Sequence, residues 1–204
     1  MTLNPNIFKN VAEFSAEVKN IYYHQKRSGL IKDVGLGLIH LYYGLGKGKT
    51  TSAVGLAVRA AGCDFQVDFA QFMKSGTSAE VAIFKKISNI RYWCPGKHSF
   101  IMTRGPLPEH YEHAAKALSF AFEAIERGTH LLVCDEILDA LIFNVLKKEQ
   151  LLDLMQRCKN KVELAMTGIN APAEIVAMAD YVTKLEQEKH PYYSGMRARK
   201  GIEY

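Results

Sequence analysis

From residue 36 onward, short apolar runs alternate with longer stretches whose apolar residues recur every three or four positions. The runs are LGLIHLYY (36–43), FQVDFAQF (65–72), IRYWC (90–94), HLLVCDEI (130–137), VELAMTG (162–168) and YVTKLEQ (181–187). All are short and most are nearly continuous in apolar residues, the pattern of a strand covered on both faces. The intervening stretches predict helices beginning near Lys49, Ser78, Glu109, Lys148 and Ala173. Strands that alternate with helices predict an α/β fold, a mostly parallel sheet of about six strands with helices on both faces. Before this domain (35–204), residues 1–34 predict a helical extension, carried by VAEFSAEVKNIYYHQK and closed by a polar turn at KRSG. There is no internal repeat and no low-complexity linker.

Composition adds little to this picture. The chain has 204 residues, 48% hydrophobic and 23% charged, enough for one self-sufficient core. Its net charge of +5 is mild, favouring a site for polyphosphate anions over nucleic acid. The N-terminal segment carries Glu13 and Glu17 inside its apolar pattern, unlike a signal peptide. No apolar stretch approaches the roughly 20 residues of a membrane helix. Cys63, Cys94, Cys134 and Cys158 form no C-x-x-C pair, and Cys134 lies in an apolar run. Reduced thiols of a cytoplasmic protein are therefore expected.

The chemistry gathers where the first core run meets the first core helix, at GLGKGKTT (44–51). A phosphate loop ordinarily reads G-x-x-x-x-G-K-[ST], and here Tyr43 stands where its first glycine would fall. The rest of the pattern is intact. Gly44, Gly46 and Gly48 allow the backbone to curl its N–H groups toward an anion. The helix from Lys49 adds its unpaired amides and positive dipole end. Lys49 brings a mobile cation, the Thr50 hydroxyl suits a phosphate-bound Mg²⁺ (or Mn²⁺), and Lys47 is either a further cation or solvated. A glycine-rich turn into an ordinary helix would not need this strand–loop–helix context.

LLVCDEI supplies the second signal. An apolar strand ending in Asp135-Glu136 sets carboxylates at the sheet rim, where they can hold Mg²⁺ directly or through its waters. Either residue alone would equally suit a helix cap. His110 and His113 share a helix face in PEHYEHAAK, but a solvated helix start accounts for them better than a metal. The charge run EQEKH (186–190) reads as a solvated strand end.

Taken together, GLGKGKTTSAVGLAVRAAG, QFMKSG, VCDEI, TGINAP and KHPYYSGMRARKGIEY resemble the P-loop-type ATP:corrinoid adenosyltransferases, in matching order over residues 37–204. That family's loop typically reads G-N-G-K-G-K-T-T and also lacks the early glycine. The resemblance implies a RecA-like P-loop fold and an alkyl-group transferase of cobalamin synthesis or salvage. It would move the 5′-deoxyadenosyl group of ATP to the Co(I) of a reduced corrinoid and release triphosphate. ATP would lie in the loop in the sense opposite to hydrolases, leaving its C5′ open to attack.

Carried over, the nucleotide-binding residues are Gly44, Leu45, Gly46, Lys47, Gly48, Lys49, Thr50 and Thr51, with Gln71 and Lys74 from QFMKSG. Thr50, Asp135 and Glu136 would hold the metal, and Lys49, Thr50, Glu136 and Phe100 would serve catalysis. Phe100 falls in GKHSFIM, corresponding to an aromatic segment that displaces the corrinoid's lower axial ligand, with Trp93 or Tyr92 as substitutes. The closing G-I-E-Y matches the family's terminus, and MRARK is expected to pack near the nucleotide. The resemblance further implies an electron-donating reductase or flavodoxin-like partner and a homodimer. Leu45, Ser75, Met102 and Ile169 replace the family's asparagine, glycine, tryptophan and arginine. Two other functions fit the loop: a conventional P-loop NTPase or kinase, and a nucleotide- or corrinoid-binding regulator without turnover.

Overall fold

The structure, a computed structural model, describes residues 13, 15–20, 35–96, 101 and 105–203. The chain divides into two compact units, Met1–Gly35 and Leu36–Tyr204. Of the first, residues 15–20 are helical; the remainder of the predicted extension lies outside the described residues.

All six predicted strands form: β1 (Ile39–Tyr43), β2 (Val67–Gln71), β3 (Ile90–Trp93), β4 (Leu131–Asp135), β5 (Glu163–Gly168) and β6 (Tyr181–Lys184). They make one sheet in the order β3-β2-β4-β5-β1-β6, and every pairing is parallel. The helices are α1 (Lys49–Ala61), α2 (Glu80–Phe84), α3 (Pro108–Glu126), α4 (Ile137–Ile142), α5 (Lys148–Cys158) and α6 (Ala173–Met178). With β5 inserted between the loop strand β1 and the carboxylate strand β4, this is the RecA-like arrangement of a P-loop α/β protein.

Two apolar clusters explain the layering. On one face Ala53, Ala57 and Ala61 of α1 meet Phe69, Val133 and Ala165, with Phe84 of α2 beside them. Alanine at every fourth position lets this helix backbone approach the sheet closely. On the other face Ala114, Ala117 and Ala121 of α3, Leu151 and Leu154 of α5 and Ile175 of α6 cover Leu41, Leu132, Cys134 and Met166. β2 and β4 are buried at every position, which is why their sequences show no polar alternation, whereas the edge strand β6 is exposed throughout. Cys134 and Cys158 are fully buried within the second cluster.

Helix α4 was not expected, because ILDALI continues the apolar reading of the preceding run. The turn into it comes from Glu136, whose φ of 61° is left-handed. No glycine or proline marks that turn. The histidine reading is corrected as well. His110 and His113 are buried, on the same face of α3 as Ala114 and Ala117. The His110 ring accepts the Leu107 amide at 2.7 Å and so caps the helix start. Beyond β6, Glu186, Glu188 and Lys189 are exposed, as the charge run implied.

One buried charge braces the β2–β3–α3 corner. Asp68 is fully buried and receives Arg91 Nη2 at 2.6 Å, Arg91 Nε at 2.9 Å and Arg127 Nη2 at 3.1 Å. Burial alone would raise its pKa, but the bonds from Arg91 and Arg127 outweigh it and hold the carboxyl below its ordinary 3.8. A depressed carboxylate contributes stability that is present above the unfolded value and lost as pH falls through the lower folded value. Acid unfolding of the parent should therefore steepen below pH 3.8, and Asp68→Asn should flatten that limb. At neutral pH the variant should lose about 1–2 kcal/mol, since the half-exposed arginines recover water. Urea unfolding at pH 3 and pH 7 checks both.

Candidate functional site

Parallel register brings the strand ends to one rim. Tyr43 lies opposite Gly168 and Lys184, and Gln71 opposite Asp135. The loop starts directly from Tyr43 and is pinned from both flanks. The Gly44 amide is shared between the carbonyls of Gly168 (3.2 Å) and Ile169 (3.1 Å), and the Gly46 amide donates to Leu185 O at 2.8 Å. Close packing against residues 185–186 explains the glycines. A Cβ at Gly44 would lie 2.2 Å from Leu185 O, and one at Gly46 would lie 2.8 Å from Glu186 O. Gly48, at φ 114°, turns the chain into α1, whose first amides have no intrahelical acceptor. Lys49 Nζ donates to Gly46 O at 2.9 Å, a neutral acceptor that phosphate oxygens would readily replace. Leu45 stands at the loop tip, 73% exposed.

Behind the loop, Asp135 is fully buried and saturated. Its Oδ1 accepts Thr50 Oγ1 at 2.9 Å and Thr167 Oγ1 at 2.8 Å. Its Oδ2 accepts Lys74 Nζ at 2.8 Å and Gln71 Nε2 at 3.3 Å. Lys74 Nζ also reaches Thr50 Oγ1 at 2.9 Å and stands 3.6 Å from Glu136 Oε1. A cationic group thus sits among one hydroxyl and two carboxylates. Burial opposes the Lys74 charge, yet Asp135 and Glu136 outweigh it and raise its pKa. Burial pushes Glu136 up to about 7; Lys74 opposes that shift, and the charges of Asp135 and Asp139 add to it. Glu136 stands at the start of α4 but makes no side-chain capping bond there, so its carboxylate is left for the cleft.

The cleft has a volume of about 670 Å³ and runs from Lys47, Lys49 and Thr50 past Lys74 to Glu80, with Ile202 of the C-terminal turn on its margin. That is ample for a nucleotide. Lys47, Lys49, Thr50, Thr51, Lys74 and Glu136 all line it, as do Val54, Met73, Ser75 and Glu80.

Gln71 takes a different place from the one expected of a nucleotide contact. It is fully buried behind Asp135, and its Oε1 accepts Tyr92 OH at 2.6 Å, so it orients the carboxylate from within. Tyr92 and Trp93 are likewise engaged inside the fold. Trp93 stacks on Phe120 of α3, with centroids 5.6 Å apart and planes at 15°, and it packs against the core there. Both residues nevertheless remain partly exposed. Phe100 and Met102 lie outside the described residues.

Two residues that hold the site were not anticipated. Thr167 accepts the Glu136 amide at 2.8 Å while donating to Asp135, so one hydroxyl locks both ends of the carboxylate pair. Asp139, raised by burial against the pull of the Ile169 amide, accepts that amide at 2.6 Å. It fixes the connection on which Gly44 leans. Thr167 lay within the TGINAP segment, whereas nothing in the sequence marked Asp139. Ile169 directs an exposed side chain outward.

A glycine-lined loop between the first strand and helix, a lysine and a threonine at that helix start, and an aspartate at the end of a nearby strand define a P-loop nucleotide-binding protein. The family model of the ATP:corrinoid adenosyltransferases BtuR/CobO/CobP matches residues 35–204, and the chain belongs to that family. It is an enzyme, a corrinoid adenosyltransferase. The corrinoid adenosyltransferase of Pseudomonas aeruginosa PAO1 is 29% identical over 171 residues, covering 82% of this chain and 84% of the relative. That of Escherichia coli K12 is 26% identical over 189 residues, covering 82% and 86%. Among solved structures, the flagellar accessory protein FlaH of Methanocaldococcus jannaschii superimposes with a TM-score of 0.47 at 16% identity, covering 74% of this chain and 72% of FlaH.

Proposed function

We propose that this chain transfers the 5′-deoxyadenosyl group of ATP to the Co(I) of a reduced corrinoid and releases inorganic triphosphate. The observation that carries the reading is one cleft with two adjoining zones of opposite preference. One is a loop of amides with Lys49 for a polyphosphate; the other is an oxygen-lined hollow of Thr50, Asp135 and Glu136 for a cation. In the reaction the electron pair of Co(I) attacks C5′, a Co–C bond forms, and the C5′–O bond breaks with its electrons departing on triphosphate. Negative charge therefore develops on the leaving group, where the amides that open α1 and a Lys49 released from Gly46 O would meet it. No proton moves at cobalt, so no general base is needed.

The hollow suits Mg²⁺ or Mn²⁺, because its donors are oxygens and Lys74 Nζ already occupies it as a cation, 2.9 Å from Thr50 Oγ1 and 2.8 Å from Asp135 Oδ2. Thr50 and Glu136 would hold the ion, with Asp135 acting through Thr50 and through bound water. When bound, the metal supplies Lewis-acid neutralisation of the triphosphate oxygens. Glu136→Gln keeps the size and loses the charge. Its half-saturating Mg²⁺ concentration should rise about tenfold or more, as losing one charge-assisted contact costs roughly 1.5–3 kcal/mol. Activity should return at high Mg²⁺ or Mn²⁺. An unchanged metal titration would remove Glu136 from the ligand set.

The same reading includes an electron-donating reductase or flavodoxin-like protein, a homodimer and a cytoplasmic setting. One observation favours a second reading, hydrolysis: Glu136, pushed up to about 7 by burial, could take a proton from water. The deciding experiment is anaerobic incubation with ATP, Mg²⁺ and chemically reduced corrinoid, followed by product identification. Triphosphate with a Co–C product supports transfer; phosphate or diphosphate would replace it with hydrolysis; no turnover would leave a binding protein.

A further inference from the structure

The cation hollow has a counterpart of opposite sign at the outer end of the loop. Lys47 Nζ, half-exposed at the cleft, donates to Glu203 Oε1 at 2.9 Å, 156 positions along the chain. Glu203 lines the cleft beside Gly201 and Ile202. Its carboxylate also receives the Arg199 backbone amide at 2.8 Å, Arg199 Nε at 3.2 Å and Arg199 Nη2 at 3.1 Å. Bonds from Arg199, then Lys47, hold the carboxyl down at about 2, so it stays ionised at any working pH.

These contacts are unequal in what they cost to exchange. The three from Arg199 close a local turn, since the Glu203 amide donates back to Arg199 O at 3.0 Å. If Lys47 leaves, Glu203 keeps three donors and remains satisfied. Among the described residues Lys47 Nζ makes no other hydrogen bond, and an exposed ammonium exchanges one oxygen anion for another at little cost. A polyphosphate in the loop offers Lys47 a denser charge than a single carboxylate does.

We propose that Glu203 is an internal anion that competes with polyphosphate for Lys47, so that the C-terminal turn limits how tightly the triphosphate product is held. This rests on the adenosyl-transfer reading for the identity of the product. Lys47 is parked on Glu203 in the free enzyme, moves to the triphosphate oxygens when ATP binds, and is recaptured as triphosphate departs. A loop built to stabilise a highly charged leaving group would otherwise bind that group too well after the reaction.

The test is binding of inorganic triphosphate, measured by calorimetry at fixed Mg²⁺, to the parent, Glu203→Gln, Lys47→Met and the double variant. Glu203→Gln should bind triphosphate about two- to fivefold more tightly, the range of one exposed charge contact, and the gain should shrink in high salt. In the Lys47→Met background Glu203→Gln should give no gain. Unchanged or weaker binding by Glu203→Gln, or a gain that persists without Lys47, would overturn the proposal. A parent that binds no triphosphate would end this proposal and the transfer reading together. Normal triphosphate competition without adenosyl transfer would end only the latter.

Discussion

Lys49→Ala should lose about thirtyfold or more in both ATP affinity and adenosyl transfer, on the order of 2 kcal/mol for one charge-assisted contact to phosphate. Lys49 is anchored at the start of α1, and in the free protein its ammonium rests on the Gly46 carbonyl at 2.9 Å. Phosphate oxygens would exchange a neutral acceptor for a charged one without moving the helix. Because the charge serves both bound ATP and departing triphosphate, affinity and turnover should fall together. Calorimetric ATP binding and transfer rates from pre-reduced corrinoid separate the two. Parental values in both would dismiss the loop assignment. Fold stability should hardly change, since the side chain closes only a bond within the loop.

Gly44→Ala should damage the protein in a different way. Gly44 has φ 117°, and an added Cβ would stand 2.2 Å from Leu185 O, a backbone atom at the exit of β6. The left-handed backbone alone costs about 1–3 kcal/mol, and displacing the β6 exit adds a comparable amount, so about 2–6 kcal/mol of stability should be lost. Gly48→Ala is the control. Its φ is 114°, yet its Cβ would meet only the flexible Leu185 Cδ2 at 3.2 Å. Gly48→Ala should therefore carry the backbone strain without the clash. Equal unfolding midpoints for the two variants would mean that residues 185–186 do not brace the loop. Weaker ATP binding by Gly44→Ala at temperatures where it remains folded would show that the brace also sets the loop's anion geometry.

The strands were legible because burial on both faces demands unbroken apolar runs, and β2 and β4 are buried at every residue. The loop was legible because its chemistry is local: glycines at alternate positions, a lysine and a threonine act within one short stretch of chain. α4 was not, since ILDALI is as apolar as the strand before it and the left-handed turn at Glu136 leaves no compositional mark. His110 and His113 were misjudged because a histidine beside glutamates looks solvated until its helix face is known to be covered.

What the sequence determined by itself is therefore the alternating α/β order, the phosphate loop and the acidic strand end. Each is written in residues adjacent along the chain, where periodicity and turn chemistry operate. Only the tertiary structure decided which distant groups meet. It set Lys74 between Thr50 and Asp135, moved Gln71 behind the carboxylate, locked Asp135 and Glu136 through Thr167, and laid Glu203 on Lys47. Those contacts depend on strand order and parallel register, which place β5 between β1 and β4 and carry the C-terminal turn back to the loop. Order and register follow from how whole faces bury against one another, and no local run of residues encodes that.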